Sequence, residues 1–184
     1  MNGWKKAVTT AAVATSLTAA VGALAATNDI FAKIGDIKGE STDLKHKGEI
    51  DVISWSWGLV QMGAGHSNSG GGGVGKAQFH DISIVKKVDR ASPALLQAAA
   101  EGSHIRDVQL IVRKAGGRQL EYLKIKLTDV FVASVLNVVK GEEAVEHLTL
   151  NFGKVEYDYY PQKEDGSADA PVHFGWSVKD NRKQ

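Results

Sequence analysis

The sequence predicts an all-β fold, a β-barrel of two antiparallel sheets with one helix at its side. Three observations carry that prediction. From Asp29 onward apolar residues recur mainly at every second position, the period of half-buried strands. Glycine and polar residues punctuate nearly every run, as an antiparallel architecture requires. Only one later segment abandons the alternation, and it carries helix punctuation at both ends.

The elements follow in order. The first run, residues 29–39, opens around Phe31. In the second, residues 49–62, Ile53, Trp55, Trp57 and Leu59 share one side, with Asp51, Ser54 and Ser56 as polar positions. The third, residues 77–88, sets Ile82 and Ile84 opposite Asp81 and Ser83. Ser92-Pro93 then starts the helical run ALLQAAAEG: the serine suits the cap, the proline the first turn and Gly102 the C-terminal cap. Strands are expected over 105–114 and 118–128, joined by a tight hairpin at Ala115-Gly116-Gly117-Arg118. Further strands are expected over 130–139, 145–160 and 172–178.

Two of these runs carry more than a strand assignment. Leu148, Leu150 and Phe152 occupy even positions and Val155, Tyr157 and Tyr159 odd ones, so a β-bulge is expected at Gly153-Lys154. Residues 130–139 are apolar on both sides, Val130, Val132, Leu136 and Val138 on one and Phe131, Ala133, Val135 and Val139 on the other. Such a strand is either central to a closed barrel packed against something else or half of a subunit contact, and the pattern does not choose between them; in the second case Val130, Val132, Val135, Leu136 and Val138 are the candidate contact residues.

The 184 residues suit one domain with a real core. With 22 basic and 21 acidic residues, interspersed, the formal charge is +1, and neither nucleic acid nor an anionic membrane is expected as the main partner. The absence of cysteine removes disulfides, thiolate catalysis and cysteine-ligated metals. The first residues differ from the rest. Lys5 and Lys6 precede an uncharged stretch over 7–26, the layout of a secretory signal peptide, with Ala23-Leu24-Ala25 as a small-x-small cleavage site. Cleavage near Ala25 and Ala26 would leave an N-terminal apolar segment, 1–26, and a barrel domain, 27–184. A retained anchor and an over-extended reading frame are the competing readings, and the Ala- and Thr-rich composition argues against the anchor.

The stretch SNSGGGGVGKAQ, residues 67–78, nearly spells a phosphate-binding loop. It fails because Ala77 stands where magnesium needs a hydroxyl, and because an alternating run follows where a helix N-terminus is required. The six histidines, 46, 66, 80, 104, 147 and 173, show no spacing that converges on a metal. Glu164, Asp165 and Asp169 lack a calcium-loop pattern, and no nucleophile elbow appears. No cofactor and no catalytic residues are expected. A binding, structural or assembly protein remains.

The order of residues then becomes informative. IKGESTDLKHKGEIDVISWSWG (37–58), FHDISIVKKVDRASPALLQAAAEG (79–102), VQLIVRKAGG (108–117), YLKIKLTDVFVAS (122–134) and HFGWSVKDN (173–181) resemble the Hcp (haemolysin-coregulated protein) family, the tube protein of bacterial type VI secretion systems. The resemblance implies a ring-forming β-barrel without catalytic residues. Its rings are homo-hexamers that stack into a tube, driven out by a sheath behind a spike protein, with effector proteins carried in the lumen. A head-to-tail contact that closes by rotation gives such a ring. It also implies that Gly63, Gly70, Gly71, Gly72, Gly73 and Gly75 belong to an inter-ring loop. Four consecutive glycines are entropically costly to fix, so order on assembly is expected.

The leader departs from the family pattern. If it is not processed the protein is cytoplasmic during tube assembly and then secreted; if it is, it transits the periplasm, with no stable membrane insertion afterwards. The alternative reading is a separately exported barrel that binds a glycan or peptide through Trp55, Trp57 and the glycine loop.

Overall fold

The computed structural model describes residues 28–61, 76–116 and 119–184. The expected signal segment, its cleavage site at Ala25 and Ala26, and the loop glycines Gly63, Gly70, Gly71, Gly72, Gly73 and Gly75 lie outside the described residues. In chain order the elements are β1 (Asn28–Ile34), β2 (Ile50–Ser56), β3 (Leu59–Gln61), β4 (Ala77–Phe79), β5 (Ile82–Lys87), α1 (Ser92–Glu101), β6 (His104–Lys114), β7 (Glu121–Lys140), β8 (Glu143–Tyr159), β9 (Val172–Ser177) and β10 (Arg182–Lys183).

All pairings are antiparallel. The larger sheet has the order β10-β9-β8-β5-β2-β1-β6-β7 and closes through β8–β7, so six strands form a barrel with β9 and β10 appended. The second sheet is the β3–β4 pair alone. The barrel is filled by β-branched and leucine side chains, among them Ile34, Ile50, Ile82, Leu110, Ile125, Leu127, Leu148 and Leu150, all buried. Each contributes on the order of 1.5–3 kcal/mol by leaving water. Helix α1 lies against β7 and adds Leu95 and Ala98 to the same core.

The helix ends as its sequence demands, with Gly102 left-handed at φ 62°. Its start differs from expectation. The N-cap is Ala91, and Ser92 makes no cap bond; its hydroxyl instead receives Nζ of Lys86 at 3.0 Å and the N–H of Asp89 at 3.1 Å.

Three departures from strict alternation set which side chains face outward. In β2 the register shifts between Val52 and Ser54, so the buried side passes from Ile50 and Val52 to Trp55 and Trp57. Ile53, expected beside the tryptophans, is therefore turned out and 49% exposed. The runs expected over 118–128 and 130–139 are one strand, β7, and its register against β8 shifts between Val132 and Ser134. Finally, the expected bulge at Gly153-Lys154 is absent: Val130↔Phe152 and Thr128↔Lys154 stay in step. Both strands exchange faces together instead. Asp129 adopts φ 57° opposite Gly153, where an added Cβ would stand 3.0 Å from the Asp129 Cβ. Buried positions thus pass from Leu127 to Val130 in one strand and from Phe152 to Val155 in the other without breaking the ladder.

Candidate assembly surface

Strand β1 meets β2 only at Phe31↔Asp51 and Ala32↔Ile50, while β2 runs on beside β5 as far as Ser56. Strand β6 leaves β7 at the pair His104↔Phe131, while β7 continues to Lys140 with β8 as its only partner among the described residues. The result is a four-stranded wall, β2-β5-β8-β7, which among the described residues has an open edge at each end. Because neighbours alternate in direction, an incoming β7 from a second copy would run antiparallel to β2. Unpaired strand edges invite that kind of addition.

One face of the wall is core. The other carries Ser54, Ser56, Ser83, His147, Thr149, Asn151, Ser134 and Leu136, with the exposed Lys87–Glu143 ion pair, 2.7 Å, at one end of it. At the β7 end Leu136 is 59% and Val139 74% exposed. Apolar side chains left in water on a strand with one open edge are the strongest mark of a contact surface among the described residues.

The candidate contact residues are divided by this geometry. Val130 and Val132 are buried in the barrel's own core and are removed from the contact surface. After the register shift Val135 packs against the core, leaving Leu136 and Val138 on the opposite face. The alternation read from sequence grouped Val130, Val132, Leu136 and Val138 on one side; the extra residue in β7 separates them.

The remaining candidates are dispersed. Ala77 begins strand β4, so no helix N-terminus follows Lys76. His104 pairs with Asp129 at 3.3 Å and His173 with Asp158 at 2.6 Å, while His46 is buried elsewhere. Asp165 accepts bonds from the N–H and hydroxyl of Ser167, and Asp169 lies 3.7 Å from Lys163, an exposed self-bonded turn. Among the described residues no group of His, Cys, Asp and Glu is arranged to hold a metal. Trp55 and Trp57 pack against the core, and Trp57 donates its indole N–H to the carbonyl of His80 at 3.0 Å.

Two buried ionic groups escaped the sequence reading. Lys86 and Glu146 are both fully buried, 3.2 Å apart, and Lys86 also meets Asp89 at 2.8 Å. Parity held the signal: Lys86 continues the inward series Ile82, Ile84, and Glu146 precedes Leu148, Leu150. The second group lies outside the barrel, where the β1–β2 connection folds over β1 and β6. Arg113, buried, donates to Asp43 at 2.6 Å and Asp29 at 2.9 Å, and its guanidinium lies over the Phe31 ring at 4.8 Å. The imidazole of His46 stacks on Phe31 at 4.2 Å, with Nδ1 2.9 Å from Glu49. The Arg113 guanidinium holds the Asp43 carboxyl far below the usual carboxylate range, and Asp43 in turn raises Arg113.

The sequence and the fold resemble those of known proteins. The family model described as "Type VI secretion system effector, Hcp" matches residues 31–159. The chain is 48% identical over 157 residues to Protein hcp1 of Pseudomonas aeruginosa, covering 83% of this chain and 96% of that protein. Among solved structures, one described as a type six secretion system protein superposes with a TM-score of 0.78 at 29% identity, covering 85% of this chain and 99% of that one. Hcp1 from Salmonella typhimurium gives a TM-score of 0.72 at 35% identity, over 86% and 99% of the two chains.

Proposed function

Because the chain belongs to the Hcp family of type VI secretion proteins, we propose that its open-edged wall is the surface through which copies join head to tail into a ring. The protein is a type VI secretion tube protein, a structural component that is itself secreted and carries effectors. The reading of a separately exported glycan- or peptide-binding barrel is not favoured: its two tryptophans are packed against the core rather than presented as a platform.

The observation that carries the assembly reading is the pair of open edges. The β7 edge of one copy, with Leu136 and Val138, lies against the β2 edge of the next, and rotation closes six copies into a hexamer. Stacked hexamers form the tube, with sheath and spike as the further partners. Gly63, Gly70, Gly71, Gly72, Gly73 and Gly75 are proposed as the inter-ring loop. Light scattering on the purified chain tests this: the wild type is expected to be hexameric, and Leu136→Asp, at a position open to water in the subunit, is expected to remain folded and dissociate. A folded wild type that is monomeric at high concentration overturns the ring.

For the N-terminus we propose an apolar segment over 1–26, ahead of the 27–184 domain, whose cleavage near Ala25 and Ala26 would divert the chain from cytoplasmic tube loading to the periplasm. N-terminal sequencing of protein recovered from culture supernatant, in wild-type and sheath-defective strains, separates the routes. An uncleaved, sheath-dependent product means loading from the cytoplasm, and a cleaved, sheath-independent product means periplasmic export.

A further inference from the structure

The wall is built from two halves that meet at one seam. On one side β2 is held to β5, and on the other β7 is held to β8 by a ladder that runs from Leu123↔Tyr159 to Lys140↔Glu143. The seam is the shorter ladder between β5 and β8, from Ile82↔Leu150 to Lys87↔Val145. Its register sets how far along the strands the β2 edge stands relative to the β7 edge.

Hydrophobic patterning does not determine that register by itself. A slip of one residue turns every inward side chain outward, which the core forbids. A slip of two keeps the faces. In one direction it sets Ile82 against Leu148, and in the other Ile82 against Phe152 and Ile84 against Leu150, all of them buried apolar side chains. What separates the three registers is the charged residue that continues each inward series: Lys86 stands directly opposite Glu146, both fully buried and 3.2 Å apart. The other acceptors of Lys86 are Asp89, the Ser92 hydroxyl and the Lys87 carbonyl, which all follow it closely in sequence and would travel with β5. Across the seam, Lys86 is the partner of Glu146 and its only one among the described residues. Slipped by two, Glu146 would lie opposite Ile84 or Val88 and hold a buried charge without a counter-ion.

We propose that Glu146 is a positioning residue: by meeting Lys86 across the β5–β8 seam it selects one register, and with it the offset between the two edges that a closed ring requires. The first half stands on the subunit alone, and the second rests on the ring reading. Two residues of slip displace one edge against the other by about 7 Å, so copies joined β7 to β2 would be about 40 Å out of step after six. A head-to-tail joint with such a rise gives an open spiral rather than a ring.

The chain has no cysteine, so disulfide trapping reads the register. Ser83 is opposite Thr149 in the native register, and would be opposite His147 or Asn151 only after a slip of two. Directly opposed strand residues lie within disulfide reach and residues two further along do not. Ser83→Cys is combined in turn with Thr149→Cys, His147→Cys and Asn151→Cys, in wild type and in Glu146→Leu, and each is briefly oxidised while dilute and unassembled. The wild-type background is expected to favour the 83–149 bond by at least about tenfold over either alternative. In Glu146→Leu that preference should fall several-fold, and electron microscopy of the assembled Glu146→Leu chain without added cysteines should show fewer closed hexamers and more open arrays. Glu146→Gln, which keeps an acceptor opposite Lys86, should stay near wild type in both measurements. Lys86→Met/Glu146→Leu, with no charge left at the seam, should behave as Glu146→Leu and takes its place if that variant does not fold. An unchanged preference for 83–149 without Glu146 overturns the selection of register. A slipped register that still gives wild-type rings overturns the link to closure. A wild type that never assembles removes the ring half, while the disulfide yields still judge the other.

Discussion

Lys86→Met should destabilise the folded chain more than Glu146→Leu, although the two residues share one ion pair. Both side chains are fully buried. When glutamate is removed, Lys86 keeps Asp89 at 2.8 Å, the Ser92 hydroxyl at 3.0 Å and the Lys87 carbonyl at 2.8 Å. An ammonium has three donors, and these three acceptors satisfy them. The loss is then one charge-assisted contact, about 1–3 kcal/mol, partly returned by the leucine's packing. When lysine is removed, Glu146 has no other partner among the described residues and keeps a carboxylate out of water. Leaving one member of a buried pair uncompensated costs about 3–5 kcal/mol. The double change Lys86→Met/Glu146→Leu should recover most of that, because apolar replacements of both partners are often neutral or better. Urea unfolding of the unassembled chain, with stability compared at constant slope, measures all three. Glu146→Leu costing as much as Lys86→Met would refute the asymmetry, and a double mutant as weak as Lys86→Met would refute its cause.

Other expectations follow from the cluster outside the barrel and from the contact edge. Asp43 is held ionised below the range of an unfolded aspartate, so its stabilisation is present above about pH 4 and is lost as the pH falls further. Unfolding midpoints of wild type and Asp43→Asn should therefore differ at neutral pH and converge in acid; a gap that widens on acidification would show that the pairing with Arg113 is not the source. Gly39 has no room for a side chain, because a Cβ there would overlap the backbone of Glu49 and Ile50. Gly39→Ala should cost about 1–3 kcal/mol by overpacking, read as a lower melting temperature, and an unchanged melting temperature would contradict the packing. Leu136→Asp, at a side chain 59% exposed, should weaken assembly without moving the urea midpoint of the dilute chain, and a midpoint that falls with it would show that Leu136 belongs to the subunit's own packing.

The strands, the helix and the glycine that ends it were legible because period two and terminal punctuation are local properties. Where the sequence misled, one residue was enough. The extra residue between Val132 and Ser134 moves Leu136 and Val138 away from the face of Val130, and the one between Val52 and Ser54 turns Ile53 outward. Nothing at those positions announces a bulge: Ala133 and Ile53 are ordinary strand residues. At Gly153 the parity change was visible but its cause was not, since a paired exchange of faces needs knowledge of which strand lies opposite and of the left-handed Asp129 within it. The assembly surface was legible only in part. Apolarity on both faces marked the right strand, but openness of an edge is a property of pairing, and pairing between distant segments is not written in local spacing. The Arg113 cluster was hidden for the same reason, being gathered from β1, β6 and the connection between β1 and β2.

The placement of β1 between β2 and β6 also orders events in time. Asp29 and Arg113 are 84 residues apart in the chain, and every β1–β6 pair spans a comparable separation. During synthesis the first strand emerges long before the strand that completes it, and closing so large a loop is the slow kind of step that raises relative contact order. Until residues 104–114 arrive, β1 has only its two-residue register with β2, and its apolar side chains have no barrel to enter. A nascent chain of this protein therefore passes through a period, set by translation rather than by stability, in which Phe31, Ala32 and Ile34 are available to other binders.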